Sequence, residues 1–474
     1  MSRLPSLFIA LIVLVAPLVV FRAGTAEAQR SDTVSVVASG LINPRGVAWD
    51  AGGTLIVAEA GTGGDNLADG EESVPPPIGP MSGGPTARVS RIADGCAEPL
   101  ASGLPSYANE ADQVGGVADV AVIEGNIYAL VTGGGAAHGN PDQPNGLYRI
   151  ETDGAASLVT NLTAWLQENP VAQPPPDYDP AGSFFDMIVL PDERSVLVVE
   201  SNSQQVLRVT LDGEISRVAD LSEDEQIPTA IAVDESGSIY VSYLSGLPYP
   251  DGAARVVKLS DDGAAEEVWT GLTTVTGLAV GSDGALYALE MSTGNTEEPP
   301  YLTRNSGRLV RQSGLDSAEP VVTGLDLPIH LAIGPDGAFY VSTPAVGADD
   351  GSGMVLRSES FSDEPVTVEG IAPLDACPEQ SEDGSASETG VTIEIYDFGF
   401  SPDQIEIQVG TEVTWVNVGE VDHTTVAFDG PQRVWDSNIM HPGDRFTFTF
   451  EDAGSYEYLC GLHPDMKARI DVVP

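Results

Sequence analysis

The segment CGLHPDM, residues 460–466, places Cys460, His463 and Met466 at intervals of three. A thiolate, an imidazole and a thioether are soft or borderline metal donors. The chain has only 5 histidines and 3 cysteines in 474 residues, so their gathering in one short loop points to a metal. SYEYLC, before the loop, reads as a strand that delivers Cys460 to its end. KARIDVV, after it, reads as the returning strand, and Pro464 stiffens the turn between them. A fourth donor, His423, lies upstream in WVNVGEVDHTTV. Two imidazoles, one thiolate and one thioether make the ligand set of a mononuclear blue-copper site. The imidazoles and thiolate bind either copper oxidation state, and a weak axial Met466 favours Cu(I) without excluding Cu(II). Zinc is the chemical rival, but it seldom takes methionine.

These donors need a scaffold. From Val391 to Pro474 the chain alternates apolar and polar residues through VTIEIYDFGF, QIEIQVG, EVTWVNVG and RFTFTFEDAGSYEYLC. That predicts a small all-β sandwich over residues 391–474, with Trp415, Trp435, Tyr456 and Tyr458 in its core. Met440 and His441 suggest no second copper site, because His441 precedes a Pro-Gly turn. Residues 378–390, PEQSEDGSASETG, are acidic, serine-rich and free of large apolar residues, which predicts a flexible linker.

Upstream, one line recurs: GVAWDAGGTLIVAE from Gly46, DVAVIEGNIYALV from Asp119, MIVLPDERSVLVVE from Met187, AIAVDESGSIYVSY from Ala230, GLAVGSDGALYALE from Gly277 and HLAIGPDGAFYVST from His330. Each copy reads as two strands around a tight turn, and a second strand-rich line follows each. Six units of four strands predict a six-bladed β-propeller over residues 33–377. A single β-sandwich would not repeat in this way. Thr33 to Leu41 reads as one extra outer strand. It closes the ring only if the last unit lacks an outer strand of its own, and that question stays open in the sequence.

Long connections cluster on one side of the repeats, including residues 61–87, 132–145, 162–185 and 291–306. Function concentrates on loops held by a rigid scaffold. On that side Glu59, Glu200 and Glu290 end the second strands of units one, three and five, while Tyr243 and Thr343 fill the place in units four and six. Arg45, Asp186, Thr229 and Thr276 precede first strands. Two readings stand: a tunnel-mouth site for calcium or a polar ligand built from Glu59, Glu200, Glu290 and Asp186, or ordinary polar residues at strand ends.

Composition narrows the classes. The net charge is −51, with only Lys258 and Lys467 as lysines, so nucleic acid and anionic membranes are excluded as partners. Arg3, an apolar run from Leu7 to Phe21, and Ala26-Glu27-Ala28 read as a signal peptide, residues 1–28, rather than a retained anchor. The expected protein is exported, periplasmic or extracellular, without stable membrane insertion. If Cys460 binds metal, Cys96 and Cys377 remain, either as one disulfide or as two buried thiols.

Residues 391–474 resemble the plastocyanin/amicyanin-type cupredoxins, through WVN, His423 in DHTTV, PGDRFTFTF, GSYEYLCGLHPDM and ARIDVVP. The resemblance implies one type 1 copper and one-electron transfer. Residues 33–375 are similar to the ScyD/ScyE family of exported propeller proteins, through GLINPRGVAWDAGGTLIVAEAGTGGDN, LTAWLQENPVAQPPPDYDPAGSFFDMIVLP and IPTAIAVDESGSIYVSYLSGLPYPDGAARVVKL. That implies a secreted propeller and assigns no activity. Three functions follow: an electron carrier whose propeller docks a redox partner or a small-molecule donor or acceptor, a propeller-sited oxidoreductase or hydrolase with copper as its electron outlet, or a non-redox copper or partner-binding module. A multicopper oxidase is excluded, because only His138, His330 and His441 remain and no His-x-His pair exists. No G-x-S-x-G elbow marks an α/β-hydrolase.

Overall fold

In four of the six copies of the recurring line an aspartate closes the hairpin turn. Asp50 accepts the Gly52 and Thr54 N–H groups at 2.8 Å, and Asp234 those of Ser236 and Ser238 at 2.9 Å. Asp283 and Asp336 do the same for Ala285 and Ala338, both at 3.1 Å. The glycine in these turns, as at Gly237 with φ 85°, takes the left-handed backbone that a side chain would resist.

The computed structural model describes residues 30–473 except 32–33, 69–78, 110–112, 177, 192–193, 224–226, 299–300, 350, 360–364, 369, 375–376, 378–389, 397, 402–403, 420, 422, 430–431, 438, 442–444, 451–452 and 464–465. The expected signal peptide, most of the expected linker and Pro464 therefore lie outside the described residues. Among the described residues no helix is long and apolar enough to cross a membrane. The chain is all-β, and it divides into two compact units, Met1–Gly384 and Ser385–Pro474.

In the first unit every copy of the line opens an antiparallel sheet. The opening strands are Pro44–Trp49, Val117–Ile123, Phe184–Val189, Ile227–Val233, Val275–Val280 and His330–Ile333. Each touches the next, and the sixth touches the first, so they form a closed cycle. Six apolar cores lie between consecutive sheets, such as Leu130 with Phe184 and Leu207, or Tyr287 with Phe339. Packing on both faces explains why Leu55–Glu59, Ser195–Glu200, Leu286–Glu290 and Phe339–Thr343 are buried at every position.

The sixth sheet takes its outermost strand from the other end of the unit. Val34–Leu41 pairs antiparallel with Gly353–Ser358, Val34 opposite Ser358. The short strand Val366–Thr367 that follows does not complete this sheet; it pairs with Val322 and Thr323 of the fifth. The sequence also reads residues 162–185 as pure loop, yet Leu162–Glu168 is a helix. Asn161 caps it by accepting the Ala164 N–H, and Leu162 and Leu166, one turn apart, are both buried.

The second unit is a sandwich of two sheets. One holds Gly399–Ser401, Gly390–Tyr396, Glu412–Asn417 and Arg445–Thr449; the other holds Gln404–Gln408, Lys467–Val473, Gly454–Leu459, Val426–Asp429 and Gln432–Asp436. Trp415, Trp435 and Tyr458 meet in the core with ring centroids 5.3 to 5.6 Å apart, and Tyr456 packs against them half-buried.

Cys96 and Cys377 form a disulfide across 281 residues. Ser39 pairs with Cys96, and its hydroxyl accepts the Leu374 N–H, so the bond ties the end of the first unit to its closing strand. Reduction, or a Cys96→Ser/Cys377→Ser variant, is expected to cost about 2–4 kcal/mol, read as a lower melting temperature of the first unit.

Candidate metal centre

The donor loop is closed by its own backbone. His463 N–H donates to the Cys460 carbonyl at 3.2 Å, Met466 N–H to the His463 carbonyl at 2.9 Å, and Cys460 N–H to the Met466 carbonyl at 3.1 Å. The flanking strands Gly454–Leu459 and Lys467–Val473 pair with Leu459 opposite Lys467, which sets the loop at the end of the sheet.

His423 arrives from the opposite side. Its N–H and carbonyl exchange hydrogen bonds with those of Met440, at 3.0 and 2.8 Å. The buried Asn417 amide donates to the Met440 and Val421 carbonyls, both at 2.9 Å, and so braces that bridge. Val426 pairs with Leu459, which brings the 423–425 segment alongside Cys460. Thr424 N–H then donates to the Cys460 sulfur at 3.3 Å, and its hydroxyl accepts the Gly461 N–H at 2.6 Å.

Three donor atoms converge. The Cys460 sulfur lies 3.7 Å from His423 Nδ1 and 3.6 Å from His463 Nδ1, and the two Nδ1 atoms are 3.2 Å apart. Cys460 and His423 are fully buried, His463 is half-buried, and Met466 is buried in the core cluster that contains Cys460. An ion about 2.0 Å from each nitrogen and about 2.3 Å from the sulfur, with angles between tetrahedral and trigonal, requires edges of roughly 3.2 to 3.7 Å. The triangle already has those edges, so the residues fit a first-row transition ion.

The family described as a cupredoxin-like domain matches residues 374–472. The C-terminal unit is a cupredoxin-like domain. The match starts upstream of the expected boundary at 391, while the first strand of the cupredoxin-like unit starts at Gly390. Amicyanin-alpha of Methylorubrum extorquens is 26% identical over 82 residues, 17% of this chain and 69% of its own length. Amicyanin of Paracoccus versutus is 35% identical over 72 residues, 15% of this chain and 54% of its own length. The chain thus spans about half to two thirds of the length of these relatives. A purple cupredoxin from Nitrosopumilus maritimus is 32% identical, covering 18% of this chain and 99% of that one, with a TM-score of 0.17.

In the first unit, Glu59, Glu200 and Glu290 are not brought together. Each is fully buried and accepts an N–H just ahead of its own sheet's first strand: Ile42 at 2.6 Å, Ser183 at 3.0 Å and Thr273 at 2.6 Å. Each also engages the residue opposite it on the third strand. Arg88 pairs with Glu59 at 2.7 Å, Arg308 pairs with Glu290, and Gln205 reaches Glu200 through the Ser203 hydroxyl. Burial pushes the Glu200 and Glu290 carboxyls above the usual range, although these partners oppose it. Each glutamate clamps the end of its own sheet, and among the described residues no cluster of possible metal donors combines the three. Asp186 belongs elsewhere, beside Asp119 and His330.

Sequence reasoning missed Asn417, Thr424 and Phe398, whose ring packs edge-on over His463 at 5.0 Å. Asn417 carried a signal, as the last residue of the WVN strand. Asn417→Ala, which frees the Val421 carbonyl and takes one of two donors from the Met440 carbonyl, is expected to cost about 1–3 kcal/mol, read by chemical denaturation of the cupredoxin-like unit. Glu59→Ala leaves the buried Arg88 unpaired. It is expected to cost about 3–5 kcal/mol by the same method, with bound metal unchanged by elemental analysis.

Proposed function

We propose that this chain is an exported electron-transfer protein, with one type 1 copper held by His423, Cys460, His463 and Met466. The observation that carries this reading is the triangle of His423 Nδ1, His463 Nδ1 and Cys460 Sγ, held by backbone bonds that do not involve the donor atoms. Copper bound there would exchange one electron by cycling between Cu(II) and Cu(I).

The chain's own residues do the rest. The brace from Asn417 through Met440 to His423, and the closed loop 460–466, hold the donors so that little moves when charge changes. Thr424 N–H donates to the Cys460 sulfur and helps to orient it as a ligand. The buried thioether of Met466 adds a weak donor that suits copper better than zinc. His463, the half-exposed ligand, offers the shortest route to solvent. Phe398, 66% exposed, stands over it, and the exposed Leu462, next in sequence to His463, adds apolar surface suited to a transient redox partner.

The first unit reads as a six-bladed propeller similar to the ScyD/ScyE proteins. Support comes from the closed cycle of opening strands, the six inter-sheet cores and the completion of the sixth sheet by Val34–Leu41. Its role in this reading is to dock a partner or ligand.

An absorption spectrum of the oxidised, copper-loaded protein tests the proposal. An intense thiolate-to-copper band near about 600 nm is expected, and Cys460→Ser should abolish it. Stoichiometric copper with no such band would sink the electron-transfer reading.

A further inference from the structure

Asp119, Asp186 and His330 lie on the opening strands of the second, third and sixth sheets, yet their donor atoms all fall within 4.8 Å of one another. The sixth sheet neighbours the first and fifth in the cycle, so its His330 meets Asp119 and Asp186 by reaching across the middle of the six strands. Gly46, on the first opening strand, makes room: a Cβ there would sit 1.7 Å from an Asp119 carboxylate oxygen.

We propose that Asp119, Asp186 and His330 form a second metal site, for a divalent transition cation such as zinc, at the centre of the first unit. The carboxylates are aimed by backbone rather than by neutralising partners. Asp119 accepts the Val120 and Met187 N–H groups at 2.7 and 3.1 Å, and Asp186 accepts those of Met187 and Ile231, both at 2.9 Å. One amide, that of Met187, serves both carboxylates, which holds an oxygen of each close together. Among the described residues no arginine or lysine pairs with either. Arg45, beside Gly46 on the first opening strand, spends its guanidinium on the carbonyls of Asn43, Pro44, Ala345 and Val114. Two buried like charges in contact require a proton or a cation between them.

His330 points to the cation. Its side chain is 14% exposed and has no hydrogen-bond partner among the described residues; Nδ1 faces Asp186 Oδ1 at 3.9 Å, too far for a hydrogen bond. Burial lowers its pKa to about 4, so the imidazole stays neutral at pH 7, the form a metal binds. Calcium takes about six to eight oxygens and fits poorly here, because one donor is nitrogen and two carboxylates supply too few oxygens. Three protein ligands leave a position open, and the exposed edge of His330 gives water or an oxygen-bearing ligand a way in.

The proposal does not rest on the copper reading. Zinc content of the full chain is measured after equilibrium dialysis in a Cys460→Ser background, with and without His330→Ala, and with Asp186→Asn as a second variant. His330 loses no described hydrogen bond when truncated, and circular dichroism checks that each protein is folded. The background is expected to hold one more zinc equivalent than either variant, and their affinity at this site should fall by at least about tenfold. Millimolar calcium should not displace the zinc. Equal zinc in all three proteins, or displacement by calcium, would overturn the proposal.

Discussion

Three lone-pair donors 3.2 to 3.7 Å apart are a costly arrangement for a folded chain to hold. Two imidazole nitrogens and a sulfur crowd one another, and nothing in their mutual contact would keep them together. What keeps them together is backbone. The Cys460–Met466 loop closes on its own amides, and His423 is locked to Met440 by reciprocal hydrogen bonds. Strand register brings the two together, because Val426 lies opposite Leu459. A rigid aromatic core of Trp415, Trp435 and Tyr458 lies in the same cluster as Cys460 and resists rearrangement of the donors.

The larger unit meets the same problem, buried polar charge, in two ways. Glu59, Glu200 and Glu290 are satisfied locally, each by an amide ahead of its sheet and by the third strand beside it. Three separate positions repeat one solution because the repeat places the same geometry at each. Asp119 and Asp186 are different. They share the Met187 amide, and burial pushes both carboxyls up, with Asp186 raised to about 6. Satisfied charge in this unit is architecture. Carboxyls without a neutralising partner collect on the opening strands, at Asp119 and Asp186.

Much of this was legible in the chain itself. The Cys-x-x-His-x-x-Met spacing named a metal loop, since few other arrangements would concentrate rare donors there. The alternation around it named a sandwich. The recurring line named six hairpins, and in four of them an aspartate that accepts the next amides and a left-handed glycine are local chemistry. The helix at Leu162–Glu168 was missed amid the prolines of a long connection, although the Asn161 cap and the apolar pair Leu162 and Leu166 were its signals.

By itself, then, the sequence determined whatever depends on neighbours along the chain: donor spacing, hairpins, repeat number and the all-β class. Tertiary structure decided which distant residues meet. Glu59, Glu200 and Glu290 look like a set in the repeat, yet each faces partners of its own sheet. Asp119 and His330 open two copies of the line, with no more local mark than the glycine or alanine in the same place elsewhere. Only the closing of six strands into a cycle sets them against Asp186, because proximity across the middle of that cycle is a property of the whole set of contacts and not of any one segment.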